Sequence, residues 1–221
     1  MLDTSLVHRV QAPQSGKGPY PALVLLHGVG SNEGDMMSLA PFVDPRLWVV
    51  AARAPFPRRY GGYSWFDYEA EGPGLGGPSI EESLVVLGRF LAEAVDRYSL
   101  DTERLYLGGF SQGAAMTGAF TLLEPGRIAG AVMASGFLPP DARPSRYRGQ
   151  DLAGTPIFQA HGTYDNVVPM HFAHQTRDYL ATTAADLTYR EYPMGHEVTA
   201  DELSDLAGWI RARLDGTGTK L

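Results

Sequence analysis

The chain has 221 residues, 44% of them hydrophobic and 19% charged, which suits one globular domain with a sizeable core. A net charge of −7 argues against nucleic acid or an anionic membrane surface as a main partner. The absence of cysteine removes disulfides, thiolate metal sites and any cysteine nucleophile.

The opening stretch, MLDTSLVHRV, has neither the basic nor the apolar region of a secretory signal. No apolar run approaches the roughly 18 residues that span a bilayer. A soluble cytoplasmic protein without stable membrane insertion is therefore expected, and nothing in the composition bars a homodimer.

In chain order, ALVLLHG (22–28) and LWVVAARAP (47–55) are short apolar runs ending in Gly or Pro. That is the pattern of strands buried on both faces of a parallel sheet. Between them, LLHGVGSNEGD (25–35) reads as a strand-to-helix turn, with Asn32 and Asp35 placed to cap the next helix. PRRYGGYSWFDYEAEGPGLGGP (57–78) breaks the rhythm, being long, rich in Gly and Pro, and aperiodic. Its Tyr60, Tyr63, Trp65, Phe66 and Tyr68 are out of place in a disordered linker, so a substrate-side binding loop is predicted.

SIEESLVVLGRFLAEAVDRY (79–98) opens with Ser79 and Glu82 at capping-box spacing, and Ile80, Leu84, Leu87, Leu91 and Val95 follow at helical intervals. RLYLGGF (104–110) reads as a buried strand, and QGAAMTGAFTLLE (112–124) as a helix that follows Ser111 directly. AGAVMASGF (129–137) and PIFQAHG (156–162) are further buried strands. A helix carrying His171 and His174 is expected after Pro169, and LTYREYP (187–193) alternates like a strand near an edge. TADELSDLAGWIRARL (199–214) repeats the capping device with Thr199 and Glu202. Strand alternating with helix predicts an α/β fold with a mostly parallel central sheet, helices on both faces, and a single domain over 1–221.

Within this frame, Gly109, Ser111 and Gly113 form a Gly-x-Ser-x-Gly pattern. With 26 glycines, such a pattern arises from composition about one time in six, so its setting matters more than the match. Ser111 lies between a predicted strand and a predicted helix, the setting of a nucleophile elbow, where small neighbours are needed in a strained turn. A serine hydroxyl needs a base. Of the six histidines, His8, His171 and His174 fit surface or core roles, and His27 and His161 end strands where they can be structural. His196 lies in a loop after the last strand, just before the last helix.

In the chain order Ser…Asp/Glu…His, Asp165 in QAHGTYDNVVP follows a buried strand and is the preferred acid. Its plain alternative is turn chemistry. Asp186 and Glu191 fall in the same interval but belong to the edge strand. The N–H of Gln112 and the N–H of Val29 are the expected oxyanion donors. Trp65, Phe66, Phe137, Leu138 and Val168 are the candidate substrate-binding residues, since they lie near the sheet's C-terminal edge, with core packing as the equal alternative.

LLHGVGSNEGDM, GGFSQGAAM, HGTYDNVVP, PMGHEVTADEL and the WFD at 65–67 resemble the phospholipase/carboxylesterase family, small α/β-hydrolases that include the acyl-protein thioesterases. The resemblance runs from about residue 19 to 214, and HGVGSNEGD looks like its bacterial branch. It implies Ser111 as nucleophile, His196 as base, Asp165 as acid, no cofactor, no metal and no large cap domain. The related dienelactone hydrolases use a cysteine that this chain lacks.

The expected activity is hydrolysis of small-molecule carboxylic esters with short- to medium-chain acyl groups, through an acyl-enzyme. A histidine base must be neutral to accept the proton, so activity should climb as pH rises through the ordinary histidine range. A thioesterase or lysophospholipase would use the same residues. An acyltransferase would need a water-excluding site, and a non-catalytic binding module would leave the triad idle.

Overall fold

The computed structural model describes residues 4–67, 79–139, 152 and 154–216. Its strands are β1 (His8–Gln11), β2 (Tyr20–Leu26), β3 (Trp48–Ala52), β4 (Phe56–Pro57), β5 (Tyr63–Ser64), β6 (Leu100–Phe110), β7 (Gly130–Ala134), β8 (Pro156–Gly162) and β9 (Asp186–Tyr192). The helices are α1 (Glu33–Met37), α2 (Ile80–Tyr98), α3 (Gln112–Leu123), α4 (Met170–Ala181) and α5 (Ala200–Leu214).

Seven strands form one sheet in the order β1-β3-β2-β6-β7-β8-β9. Only β1 runs antiparallel to its neighbour. The continuous apolar runs of β2 and β7 end up buried on both faces, because helices cover each side. Period-two alternation divides β2 between two cores. Ala22, Val24 and Leu26 pack with Leu87, Phe90, Ala115 and Phe120 from α2 and α3. Leu23 and Leu25 pack with Met36 of α1 and with Leu206, Trp209 and Ile210 of α5. β9 lies at the sheet's edge as predicted, but its burial does not follow the predicted alternation. Leu187, Thr188 and Tyr189 are all half-buried and the adjacent Arg190 and Glu191 are both exposed, because only one of its sides meets a neighbouring strand.

The two predicted capping boxes part ways. At α2, Glu82 N–H donates to Ser79 Oγ at 3.2 Å and Ser79 N–H to Glu82 Oε2 at 3.0 Å, closing the box. At α5, the Thr199 hydroxyl makes no capping bond and turns to Met194 Sδ at 3.4 Å. Glu202 keeps only a bond from the Thr199 backbone. Its Oε2 has no partner among the described residues, and burial pushes its carboxyl up to about 7. The first turn of α5 packs inward, so the pattern Thr-x-x-Glu carries half of its expected function.

The segment read as an aperiodic loop from residue 57 also begins differently. β4 and β5 pair antiparallel as a small hairpin with Tyr60 exposed near its tip. Residues 68–78, Tyr68 included, lie outside the described residues. No helix among the described residues is long and apolar enough to cross a membrane.

Candidate active site

β6 runs into α3 through a single residue, Ser111, at φ 55° and ψ −116°. A non-glycine residue rarely adopts that conformation, and the packing around it explains how it is held. A Cβ on Gly109 would lie 2.2 Å from the carbonyl carbon of Gly113, and one on Gly113 would lie 2.1 Å from the Leu26 carbonyl oxygen. The flanks of the serine must therefore be glycine for α3 to approach β2 this closely. α3 is buried throughout 112–122, so the turn is backed by the core.

Three loops at the ends of parallel strands complete the site. His196, in the loop between β9 and α5, places Nε2 3.0 Å from Ser111 Oγ and Nδ1 2.7 Å from Asp165 Oδ2. The Phe110 ring lies beside the imidazole, with centroids 4.8 Å apart. Asp165, in the loop after β8, has its other oxygen occupied by the N–H groups of Val167 and Val168, both at 2.8 Å. Burial alone would raise this carboxyl. The His196 bond and the two backbone donors outweigh it and hold Asp165 below the ordinary carboxylate value. The acid is thus ionised and its orientation fixed. An imidazole held this way can take a hydroxyl proton and return it to a leaving group.

The sequence-derived acid, base and nucleophile are therefore brought together in one hydrogen-bonded chain. The backbone N–H of Val29 and that of Gln112 have no acceptor among the described residues. Val29 lines the cavity in front of Ser111, and Gln112 opens α3. That cavity has a volume of about 420 Å³, and its walls include Met36, Leu39, Phe110, Val167 and Val198.

None of the five residues singled out for substrate contact lines this cavity. Trp65 and Leu138 are fully buried, and Phe66 nearly so. Phe137 packs on Phe172, with centroids 5.3 Å apart, and Val168 serves the Asp165 loop through its backbone. The walls come mainly from residues 28–39, which include the turn after β2 and α1, and from the loop around His196. Five-residue α1 leaves no periodic signature; the paired methionines of NEGDMM were the available signal.

His27 and His161 are both fully buried, and His161 Nε2 lies 3.5 Å from Asp165 Oδ2. Burial lowers both, keeping them neutral. His27 Nε2 accepts the Ala54 N–H at 2.9 Å, and His161 Nε2 donates to the Val168 carbonyl at 2.8 Å. No cluster of three or more metal-ligating side chains occurs among the described residues.

The model of the phospholipase/carboxylesterase family matches residues 8–214. The chain is 30% identical to acyl-protein thioesterase 1 of Candida albicans, over 93% of this chain and 97% of that one. It is 28% identical to carboxylesterase SOBER1 of Arabidopsis thaliana, over 71% and 70% of the two chains. Its structure is similar to a Bacillus cereus carboxylesterase, with a TM-score of 0.79, 25% identity and 93% of each chain covered. With a strand-to-helix serine turn backed by the core, and nearly its whole length matched, this chain belongs to the phospholipase/carboxylesterase family.

Proposed function

We propose that this chain, as a carboxylic ester hydrolase, works through Ser111, His196 and Asp165 by way of an acyl-enzyme. His196 Nε2 takes the Ser111 proton as Oγ attacks the ester carbonyl. Asp165 holds the ring and stabilises the imidazolium. The N–H groups of Val29 and Gln112 receive the oxyanion, each such donor contributing roughly 3–4 kcal/mol to lowering the barrier. His196 then protonates the departing alcohol. In the second half, water loses a proton to His196 and attacks the acyl carbonyl; Ser111 Oγ leaves and takes the proton back from His196, releasing the carboxylic acid. The observation that carries this reading is the continuous chain from Asp165 through His196 to Ser111, at 2.7 and 3.0 Å.

The cavity supports the substrate class. About 420 Å³ stands toward the small end of small-molecule pockets, and its walls are mostly apolar, which suits short- to medium-chain acyl esters. A thioester reading has its own support in the 30% identical acyl-protein thioesterase. Its carbonyl carbon would meet the same serine.

Ser111→Ala tests the chemistry. We expect kcat to fall by about 10⁵–10⁶-fold with circular dichroism unchanged, and retained hydrolysis would overturn the assignment. A series of oxygen esters and thioesters matched in acyl length separates the two substrate readings. Best turnover on long acyl chains would contradict the cavity argument.

A further inference from the structure

The two proposed oxyanion donors come from different parts of the fold, Val29 from the turn after β2 and Gln112 from the start of α3. β2 and β6 are paired and α3 packs closely on β2, so the two turns already stand side by side, and a third segment can fix their fine spacing by bonding to both. The segment 63–66, which leaves the small hairpin, does so.

On the Val29 side, Gly30 N–H donates to the Tyr63 carbonyl at 2.8 Å, and Tyr63 N–H donates to the Ser31 carbonyl at 3.0 Å. The indole Nε1–H of Trp65 donates to the His27 carbonyl at 2.9 Å. Residues on both sides of Val29 are thereby tied to one segment. On the other side, the Gln112 side chain is held at both ends. Its Oε1 accepts the Trp65 N–H at 2.8 Å, and its Nε2 donates to the Phe66 carbonyl at 2.6 Å. Trp65 thus reaches one donor's turn with its ring and the other donor's side chain with its backbone. The Ser83 hydroxyl of α2 fixes the Trp65 carbonyl in turn.

Trp65 and Gln112 are 0% and 1% exposed, and neither lines the cavity, so substrate contact does not account for this arrangement. Buried amide and indole donors need partners, and here each partner is chosen so that it couples the two halves of one site. Oxyanion stabilisation depends on donors held in place before the charge develops, and displacements well under 1 Å are felt in the rate.

We infer that Trp65 and the side chain of Gln112 are positioning residues that set the spacing of the two oxyanion donors, an inference that rests on ester hydrolysis at Ser111. The test uses Trp65→Phe, which keeps a ring and removes the indole N–H, and Gln112→Met, which keeps the length and removes both amide bonds. Active sites are counted by fluorophosphonate labelling of Ser111.

Per labelled serine, each variant should lose roughly ten- to a hundredfold in kcat, with KM changed less than about threefold. Affinity for a trifluoromethyl ketone, which adds Ser111 and develops the oxyanion, should fall by the same factor as kcat/KM. Affinity for an ether analogue without the carbonyl should stay at the wild-type value. The double variant should lose less than the product of the single losses, since both act on one spacing. Should Gln112→Met fail to fold, Trp65→Phe alone decides. Wild-type kcat per labelled serine, or an equal fall in ether affinity, would overturn the inference. A wild-type protein that neither labels nor hydrolyses esters would instead overturn the underlying reading.

Discussion

Two helices stand at the same cavity, α3 only through the serine that precedes it and α1 along the wall, and they are built on opposite terms. α3 carries the serine at its start and is buried throughout 112–122. α1 has five residues, of which only Glu33 and Met36 are buried, yet Asp35 and Met36 form part of the cavity wall. The proposed attacking atom is held by the protein's interior, where a displaced atom disturbs the core that α3 shares with α2. In the proposed reading, the wall beside the acyl group rides partly on a short surface turn, most of whose residues are not buried. The proposed mechanism therefore predicts that reaction chemistry and substrate choice are separable in this molecule, and substitutions can test how far.

After Ser111→Ala, the largest effect is expected at the acid. Asp165→Asn should lower kcat by about 10³–10⁴-fold, while thermal melting shifts by only a few degrees. The amide oxygen can still accept the Val167 and Val168 N–H groups, so the loop should stay in place.

A pair of glycines gives the next contrast. An alanine at Gly113 would meet the Leu26 backbone at 2.1 Å, whereas one at Gly34 would meet the end of the Asn32 side chain at 2.8 Å. Gly113→Ala should cost about 3–5 kcal/mol in chemical denaturation. Gly34→Ala should cost no more than about 1 kcal/mol, the value of a disturbed helix cap. Equal losses would erase the distinction between the two helices.

Enlarging the peripheral wall sharpens it. Leu39→Trp should move the preferred acyl length downwards, with kcat/KM for the longest accepted ester falling at least about tenfold. The shortest ester should stay within about threefold of wild type.

The last effect concerns stability alone and not turnover. Burial raises Glu202 in the folded state from an ordinary 4.5 to about 7, so the folded protein binds that proton more tightly than the unfolded chain. Its contribution is full below pH 4.5 and is lost as pH rises through about 7, a decline on the order of 3 kcal/mol. Glu202→Gln should remove that decline, seen as a flatter dependence of the denaturation midpoint on pH.

Much of this was legible in the residues. Buried strands announce themselves by unbroken apolar runs, and β2, β7 and β8 stand where those runs are. Ser111, Asp165 and His196 could be picked out because each follows a strand end and the three stand in a recognisable order. Other features left no mark. A hairpin of two-residue strands has no period to detect, so β4 and β5 were hidden in a Gly-rich segment. Trp65 and Phe66 look like ligand contacts in a loop, and nothing in the local pattern reveals that both turn inward. Thr199 and Glu202 repeat the spacing of Ser79 and Glu82. Which way a first turn faces depends on distant packing that spacing does not encode.

The enclosure of α3 also bears on how the protein fails when heated. A catalytic loop on the surface can fray and abolish turnover long before a domain melts. Here the serine's turn is backed by a helix buried throughout 112–122. The amide protons of its middle turns should be among the last to exchange with solvent. Warming should end activity and dissolve the native state at one and the same midpoint, so that residual turnover serves as a gauge of the folded population.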